Sequence, residues 1–374
     1  MATVTMKDVA ERAGVSVSSV SLVLSGKAEG RINATVAADV KNAARELNYH
    51  RSRMASSLRT RRSMIIGLIS DVVSITPYAG EIILGAQDAA RDCGYVLLSA
   101  DSSNNSSLED REVRTMHSYQ ADGFLYAKMS DCVTTVPDYF DDDKVVVVDA
   151  RDASGRYPSI SPDEYQIGVD AVRRLQEAGC STIAYFGTPA DLIAQQERLA
   201  GVREEAQRCG IRLPEELVVN VDEGQSALDG SRHLFDRAAQ IGGIDGIVCF
   251  NDIRASYLYR EAERHGLRIG TDVSIVSVDN NKFLAGTFVP SLSSIELPHY
   301  EMGYWAVLKL VDLIGAEDRS QLRGLSATVS KNGRRVVLPS IDEQDARIHC
   351  RLIDKESVRA EKVVTAVATS RKKN

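Results

Sequence analysis

Six cysteines in 374 residues are few, and their placement excludes two kinds of framework. The cysteines (Cys93, Cys132, Cys180, Cys209, Cys249, Cys350) are scattered, with no Cys-x-x-Cys or Cys/His spacing. That argues against a disulfide framework and a structural zinc site, and for plain thiols in a reducing compartment. No uninterrupted apolar run reaches the ~20 residues needed to span a bilayer. No charged-then-apolar leader opens the chain, so a soluble, cytoplasmic protein with no membrane partner is expected. A phosphate loop, a Gly-x-Ser-x-Gly elbow and a metal cluster are all missing. The six histidines (His50, His117, His233, His265, His299, His349) show no nucleophile-base spacing. Catalytic residues, metal and cofactor are therefore all expected to be none.

What is present is length, apolar content and an uneven charge. A chain of 374 residues with 44% hydrophobic content should build two or three cored domains. The net charge is −7, yet up to Arg62 eleven basic residues stand against five acidic ones. The first sixty-two residues thus carry +6 and the remainder −13. A basic head on an acidic body suits a polyanion-binding module joined to something else.

The head is organised around Val4–Leu24, VTMKDVAERAGVSVSSVSLVL. The pattern predicts one helix from about Met6 to Ala13, with Thr5 as N-cap and Asp8 answering it in a capping box. Gly14 permits a left-handed turn, and Ser16 caps a second helix from about Val17 to Leu24. Val9, Ala10, Ala13, Val15, Val20, Val23 and Leu24 form the apolar side, which leaves Val17, Ser18, Ser21 and Leu22 on the outer face of the second helix. Such a pair suggests helix-turn-helix DNA binding, and an ordinary helical hairpin is the alternative. Asn33 should cap a third helix ending near Leu47. The following YHRSRMASSLRTRR (Tyr49–Arg62) is either a linker or a helix that forms on DNA. In the second case Leu58 can wedge into the minor groove.

From Met64 onward, apolar runs of strand length alternate with amphipathic segments. The runs are Met64–Ile69, Tyr95–Leu98, Gly123–Tyr126, Val145–Val148, Ile183–Phe186, Val218–Val221, Gly246–Phe250 and Val273–Val278. Helices are expected at Ala79–Cys93, Tyr165–Ala178, Glu197–Cys209, Ala227–Ala239 and Arg254–His265. Continuous apolar strands between helices mean parallel sheets covered on both faces. Eight are too many for one small sheet, and Arg151–Asp163 reads as a break between two. Two doubly wound sheets side by side would set a ligand cleft at the carboxyl ends of their strands.

In order and spacing, these features resemble the lactose-repressor (LacI/GalR) family of bacterial transcription regulators over about Val4–Val358. The motifs are KDVAERAGVSVSSVSLVLSG (Lys7–Gly26), ARELNYHRSRMASSLR (Ala44–Arg59), ERLAGVREEAQRCGI (Glu197–Ile211), CFNDIRASYLYREAERHGLRIGTDVSIVSVDN (Cys249–Asn280) and SLSSIELPHYEMG (Ser291–Gly303). The resemblance implies an all-α helix-turn-helix head at 1–50, a hinge helix or linker at 51–62, and an effector-binding and dimerisation body at 63–358. That body would be α/β, with two doubly wound parallel-sheet subdomains of periplasmic-binding-protein type. One subdomain would take about 63–161 and 294–320, and the other about 162–293 and 321–358. A polar insertion near 319–347 and a basic tail at 359–374, unstructured from Ser357 on, depart from the family.

By the same resemblance, Val17, Ser18 and Leu22 read bases. Leu22 stands where several members have arginine, and it offers a thymine methyl only apolar contact. Ser16, Ser19, Ser21 and Ser25 suit phosphates, with capping or solvation as the other reading of each. Arg53, Ala55, Ser56 and Leu58 fall in the hinge helix, with Leu58 in the minor groove. The effector residues are Pro77, Tyr78, Asp149, Arg198, Gln225, Asn251 and Asp279, with His299 at the cleft edge. Carboxylates, an amide and a guanidinium suit the hydroxyls of a sugar or sugar phosphate. The local alternatives are a cap at Asn251, closed turns at Asp149 and Asp279, and a structural ion pair at Arg198. Ala127 and Gln225 replace side chains found in other members, so the effector stays open and a non-sugar metabolite is an alternative. The expected partners are a pseudo-palindromic operator, one effector and a second copy of the chain, with tetramers left open. A repressor of carbohydrate genes follows, against an enzyme or solute receptor on the same fold.

Overall fold

The computed structural model describes residues 4–26, 28–49, 62–72, 80–315, 319–326, 329–331 and 334–360. The chain divides into two compact units between Ser63 and Met64.

The first unit is three helices on one small core. Thr5 opens α1 (Met6–Ala13), and both its N–H and its hydroxyl donate to the Asp8 carboxylate at 2.7 Å. Gly14 takes φ +66° and turns the chain. The Ser16 hydroxyl accepts the Ser19 N–H at 3.1 Å and starts α2 (Val17–Leu24). Asn33 accepts the Thr35 N–H at 2.9 Å and starts α3 (Ala34–Glu46). Val9, Ala10, Val20, Val23, Val40, Ala43 and Ala44 are buried between the three. The alanines bring the helices close, so a unit this short still buries an apolar centre.

The second unit has two lobes. In the first, β1 (Ile65–Ser70), β2 (Val96–Asp101), β3 (Phe124–Thr134), β4 (Val145–Asp152), β5 (Ser159–Pro162) and the late strand β13 (Asp345–Ile348) form one parallel sheet. Its order is β13-β5-β4-β3-β1-β2. In the second, β6 (Ile183–Gly187), β7 (Val218–Asn220), β8 (Gly246–Cys249), β9 (Ser274–Asp279), β10 (Ser293–Glu296) and β14 (Arg351–Ile353) are ordered β14-β10-β9-β8-β6-β7. Here only β14 runs antiparallel to its neighbour. A short antiparallel ladder, β11 (Val329–Lys331) with β12 (Arg334–Val336), stands apart from both.

Helices α4 (Gly80–Asp92), α5 (Ser106–Ser118), α10 (His299–Ile314) and α11 (Arg319–Ser326) belong to the first lobe. Helices α6 (Glu164–Glu177), α7 (Ile193–Cys209), α8 (Gln225–Gln240) and α9 (Asp252–Arg264) belong to the second. The eight apolar runs are all strands, with ends within four residues of expectation, except β3. That strand continues through a register shift between Ala127 and Cys132. The chain crosses between lobes three times, after β5, β10 and β13.

The break expected within Arg151–Asp163 falls at the end of that stretch, because β5 still belongs to the first sheet and the chain crosses only after it. One expectation fails. The late segments divide differently. β10 pairs with β9 in the second sheet, whereas Leu322, Leu338, Ile341, Ala346 and Ile348 join the first lobe's core. The cause is α10. Its fully buried Trp305 donates from Nε1 to the Pro339 carbonyl at 3.1 Å. Buried Lys309 donates to the carbonyls of Ile341 and Glu343 at 2.8 and 2.7 Å. An ammonium at this depth must find acceptors, and the returning chain supplies them. The start of the supposed tail is also pinned. Ser357 is buried and donates to the Ile275 carbonyl at 2.6 Å, and Arg359 donates to the Asp245 carbonyl at 3.0 Å. Residues 361–374 lie outside the described residues.

Candidate functional site

On the head, Val17 and Ser18 stand exposed on the first turn of α2. Leu22 is half-buried and lies outside the core cluster. An apolar side chain left at a surface, next to a serine and free of the core, is available to a groove. The other serines are partly committed. Ser16 caps α2 and shares a 2.9 Å hydroxyl contact with Ser19, and Ser25 donates to the Leu22 carbonyl at 3.1 Å. Ser21 is half-buried. The hinge residues Arg53, Ala55, Ser56 and Leu58 lie outside the described residues, as do Pro77 and Tyr78.

In the body, Arg198 and Gln225 are on helices, whereas Asp149, Asn251 and Asp279 lie toward or just past the carboxyl ends of strands. Three aspartates there hold left-handed backbone: Asp131 (φ +37°), Asp149 (φ +54°) and Asp279 (φ +103°). All three are buried. Left-handed backbone away from glycine costs energy and collects where side chains must be aimed. Burial pushes the Asp131 carboxyl up to about 7, against the pull of Arg151. Burial and neighbouring Asp252 hold Asp279 well above the usual carboxylate range, against the pull of Arg198. The Oδ2 atom of Asp279 is buried without a hydrogen-bond partner among the described residues.

Arg198 lies on α7, and its side chain is 5% exposed. Its Nε and Nη2 donate to the two oxygens of Glu164, at 2.5 and 3.0 Å. Its Nη1 donates to the Phe250 carbonyl at 2.7 Å, and the guanidinium stacks 4.6 Å from the Phe250 ring. The structural ion pair that the sequence left as an alternative is therefore present. It still leaves two of the five guanidinium hydrogens for another acceptor. Close packing sets this position. A Cβ on Gly168 of α6 would come within 2.2 Å of the Arg198 carbonyl, and one on Gly201 within 2.2 Å of the Tyr165 carbonyl.

Asn251 takes its local role too, its Oδ1 capping α9 at the Arg254 N–H (3.0 Å). Gln225 opens α8, is exposed, and bonds Asp229 on its own helix at 3.0 Å. His299 opens α10 and is buried. It lines a cavity of about 230 Å³ with Asp279, Asn280, Glu296, Lys282 and Glu81. That volume suits a small metabolite better than a drug-sized ligand, whose sites run to roughly 300–1,000 Å³.

Ion pairs bridge the lobes beside these residues. Arg151 of β4 donates to Asp131 at 2.8 Å and to both oxygens of Glu197 on α7, at 2.9 and 3.0 Å. Arg347 of β13 also reaches Glu197, at 3.2 Å. Arg151 holds the Glu197 carboxyl below the usual range. Lys282, after β9, pairs with Glu81 of α4. Glu164, Arg151, Asp131, Glu197 and Arg254 all escaped the sequence reading. A lone charged residue at a helix start or strand end carries no sign of a partner tens of residues away. Among the described residues there is no group of three His, Cys, Asp or Glu side chains that could hold a metal. No described helix is long and apolar enough to cross a membrane.

A helix-turn-helix unit followed by a two-lobed α/β body with a polar cleft defines a class, that of DNA-binding transcription regulators with a small-molecule-binding body. Comparison with known proteins narrows it. Residues 5–52 match the bacterial regulatory proteins of the lacI family, and residues 172–331 match a periplasmic binding protein-like domain. The HTH-type transcriptional regulator RegA of Clostridium saccharobutylicum is 29% identical over 317 residues, covering 84% of this chain and 93% of that protein. The ribose operon repressor of Bacillus subtilis is 29% identical, covering 83% and 91%. A solved LacI-family transcriptional regulator from Rhizobium etli superposes with a TM-score of 0.66 at 27% identity, covering 80% of this chain and all of that one. The head matches the lacI family of bacterial regulatory proteins, and the chain is a DNA-binding transcription regulator similar to members of that family over most of its length.

Proposed function

We propose that the protein represses carbohydrate-metabolism genes by binding a pseudo-palindromic operator as a homodimer, and that a small sugar-like effector held between the two lobes sets its affinity. The observation that carries this reading is the cluster of buried polar groups at the carboxyl ends of both sheets. Arg198 keeps donors in hand, Asp279 keeps a carboxyl oxygen, and a polyol offers the complement to each. The Bacillus subtilis relative named for ribose points the same way. The dimer is supported by the first lobe's free edge, where Val96 of β2 and Leu84 of α4 are 40% and 46% exposed. Each head would take one half-site, with Ser18 and Leu22 toward base edges and Leu58 wedged near the centre.

Effector binding would act through the lobes. Closing on a ligand must change the contacts around Glu197 and between Glu81 and Lys282, which join the two sheets. The ligand shifts the balance of lobe angles only by its differential affinity for them. The test is selection of the full-length protein on a random duplex library, followed by titration of the selected site with a panel of sugars. Recovery of a two-fold symmetric site, and a change in its affinity with one sugar, is the expected result. Recovery of no preferred site, or of a site indifferent to every sugar but answering a nucleobase or amino acid, would overturn the repressor or the sugar reading respectively.

A further inference from the structure

A second buried arginine, Arg254, stands near the start of α9, which follows the carboxyl end of β8. It is 3% exposed, so its charge sits in a medium where an unmatched cation is costly. One bond positions it, from Nη2 to the Val221 carbonyl at 3.0 Å. Nε and Nη1 have no hydrogen-bond partner among the described residues. The nearest counter-charge is Glu223, whose Oε1 lies 3.7 Å from Nη1, too far for a hydrogen bond. Glu223 is 55% exposed and stands on the short connection between β7 and α8. It is followed by Gly224 at φ +72° and ψ −129°, backbone open to glycine and strained for other residues. A buried guanidinium is thus balanced by a carboxylate that is loosely placed and facing water.

We propose that Arg254 anchors an anionic group of the effector, which replaces Glu223 at Nη1, so that the ligand is a sugar acid or a sugar phosphate and not a neutral sugar. This rests on the reading of the cleft given above and names the chemistry of its ligand. Charge accounting supports it. Arg198 is matched by Glu164, and burial favours the neutral form of Asp279. Once Glu223 swings away, Arg254 is the positive group left to match. The exchange trades one carboxylate for another anion and leaves no charge uncompensated. Arg254 also lies 5.8 Å from the ring of Phe250, whose carbonyl holds Arg198. The anion would therefore bind within one residue's reach of the donors that suit hydroxyls. A purely structural Arg254 would hold the Val221 loop and confer no response to anions.

Thermal unfolding of the full-length protein separates these roles. The probes are D-glucose, D-glucuronate, D-glucose 6-phosphate and inorganic phosphate, at constant ionic strength. Ligands that prefer the native state must raise Tm. At least one anion should raise it and glucose should not, and glucuronate against glucose 6-phosphate tells carboxylate from phosphate. Arg254→Met should raise the half-maximal anion concentration by about tenfold or more, the size of a lost charge-assisted hydrogen bond. Arg254→Lys should keep part of the response. If Arg254→Met fails to fold, Glu223→Gln decides, because removing the resident carboxylate should lower that concentration. No rise with any anion, a rise with glucose equal to that with glucuronate, or an anion response indifferent to both sites overturns the proposal. Operator release by a neutral sugar would overturn it while leaving the proposed function standing.

Discussion

Replacing Arg198 by methionine tests the physical core of the cleft. The substitution keeps much of the side-chain volume and removes the guanidinium. Glu164, 2% exposed, then loses both of its donors, and the Phe250 carbonyl loses a third bond. Water does not screen the pair at that depth, so the discount applied to surface bridges does not apply. Breaking one side of such a pair costs about 3–5 kcal/mol, most of it the burial of the charge left behind. That equals roughly two to three and a half orders of magnitude in the folding constant, at ~1.4 kcal/mol per factor of ten. Urea unfolding of the full-length protein reads the cost as a lower midpoint at unchanged slope. Arg198→Met with Glu164→Leu should cost less than the sum of the two single changes, with a coupling of about 1–3 kcal/mol. Asp279 should be pushed further up, because Arg198 is a group that pulls it down. A single-variant cost below about 1 kcal/mol, or strict additivity, would refute the argument that the pair is buried and mutually dependent.

Other outcomes follow from the same geometry. Gly201→Ala places a Cβ 2.2 Å from the Tyr165 carbonyl and should cost about 1–3 kcal/mol by overpacking, read by calorimetry; Gly210→Ala, which meets no atom within 4 Å but has φ +69°, should cost only backbone strain. Asp131 is raised to about 7 in the folded state from 3.8, so the folded form holds its proton more tightly. Its stabilising contribution is complete below pH 3.8 and lost as pH rises through about 7, at up to ~1.4 kcal/mol per unit. Asp131→Asn should flatten that part of the stability-pH curve, and an unchanged slope would count against it. Ser16→Ala removes the cap on α2 and should destabilise the isolated head by about 1 kcal/mol, seen by circular dichroism. Leu22→Arg should move the selected half-site toward guanine, because a guanidinium reads its O6 and N7 whereas leucine cannot.

What the sequence determined by itself was local. The Thr5–Asp8 box, the Gly14 turn, the Ser16 and Asn33 caps and the eight apolar strands are settled within a few residues of chain, where spacing and side-chain chemistry act directly. The strands it hid, such as Ser159–Pro162 and Asp345–Ile348, are four residues long and carry only one or two apolar residues among polar ones, too few to form an apolar run, and they lie toward the edge of a sheet laid down by others. Tertiary structure alone decided which charges meet. Arg198 finds Glu164 across 34 residues and Arg347 finds Glu197 across 150, distances over which no periodicity carries information. It also decided that buried Lys309 would hold residues 341 and 343 to the first lobe, and that Arg254 would be left with donors to spare. The reason is the same in each case. A charge is paired by whatever the topology brings within reach, and the topology is a property of the whole chain.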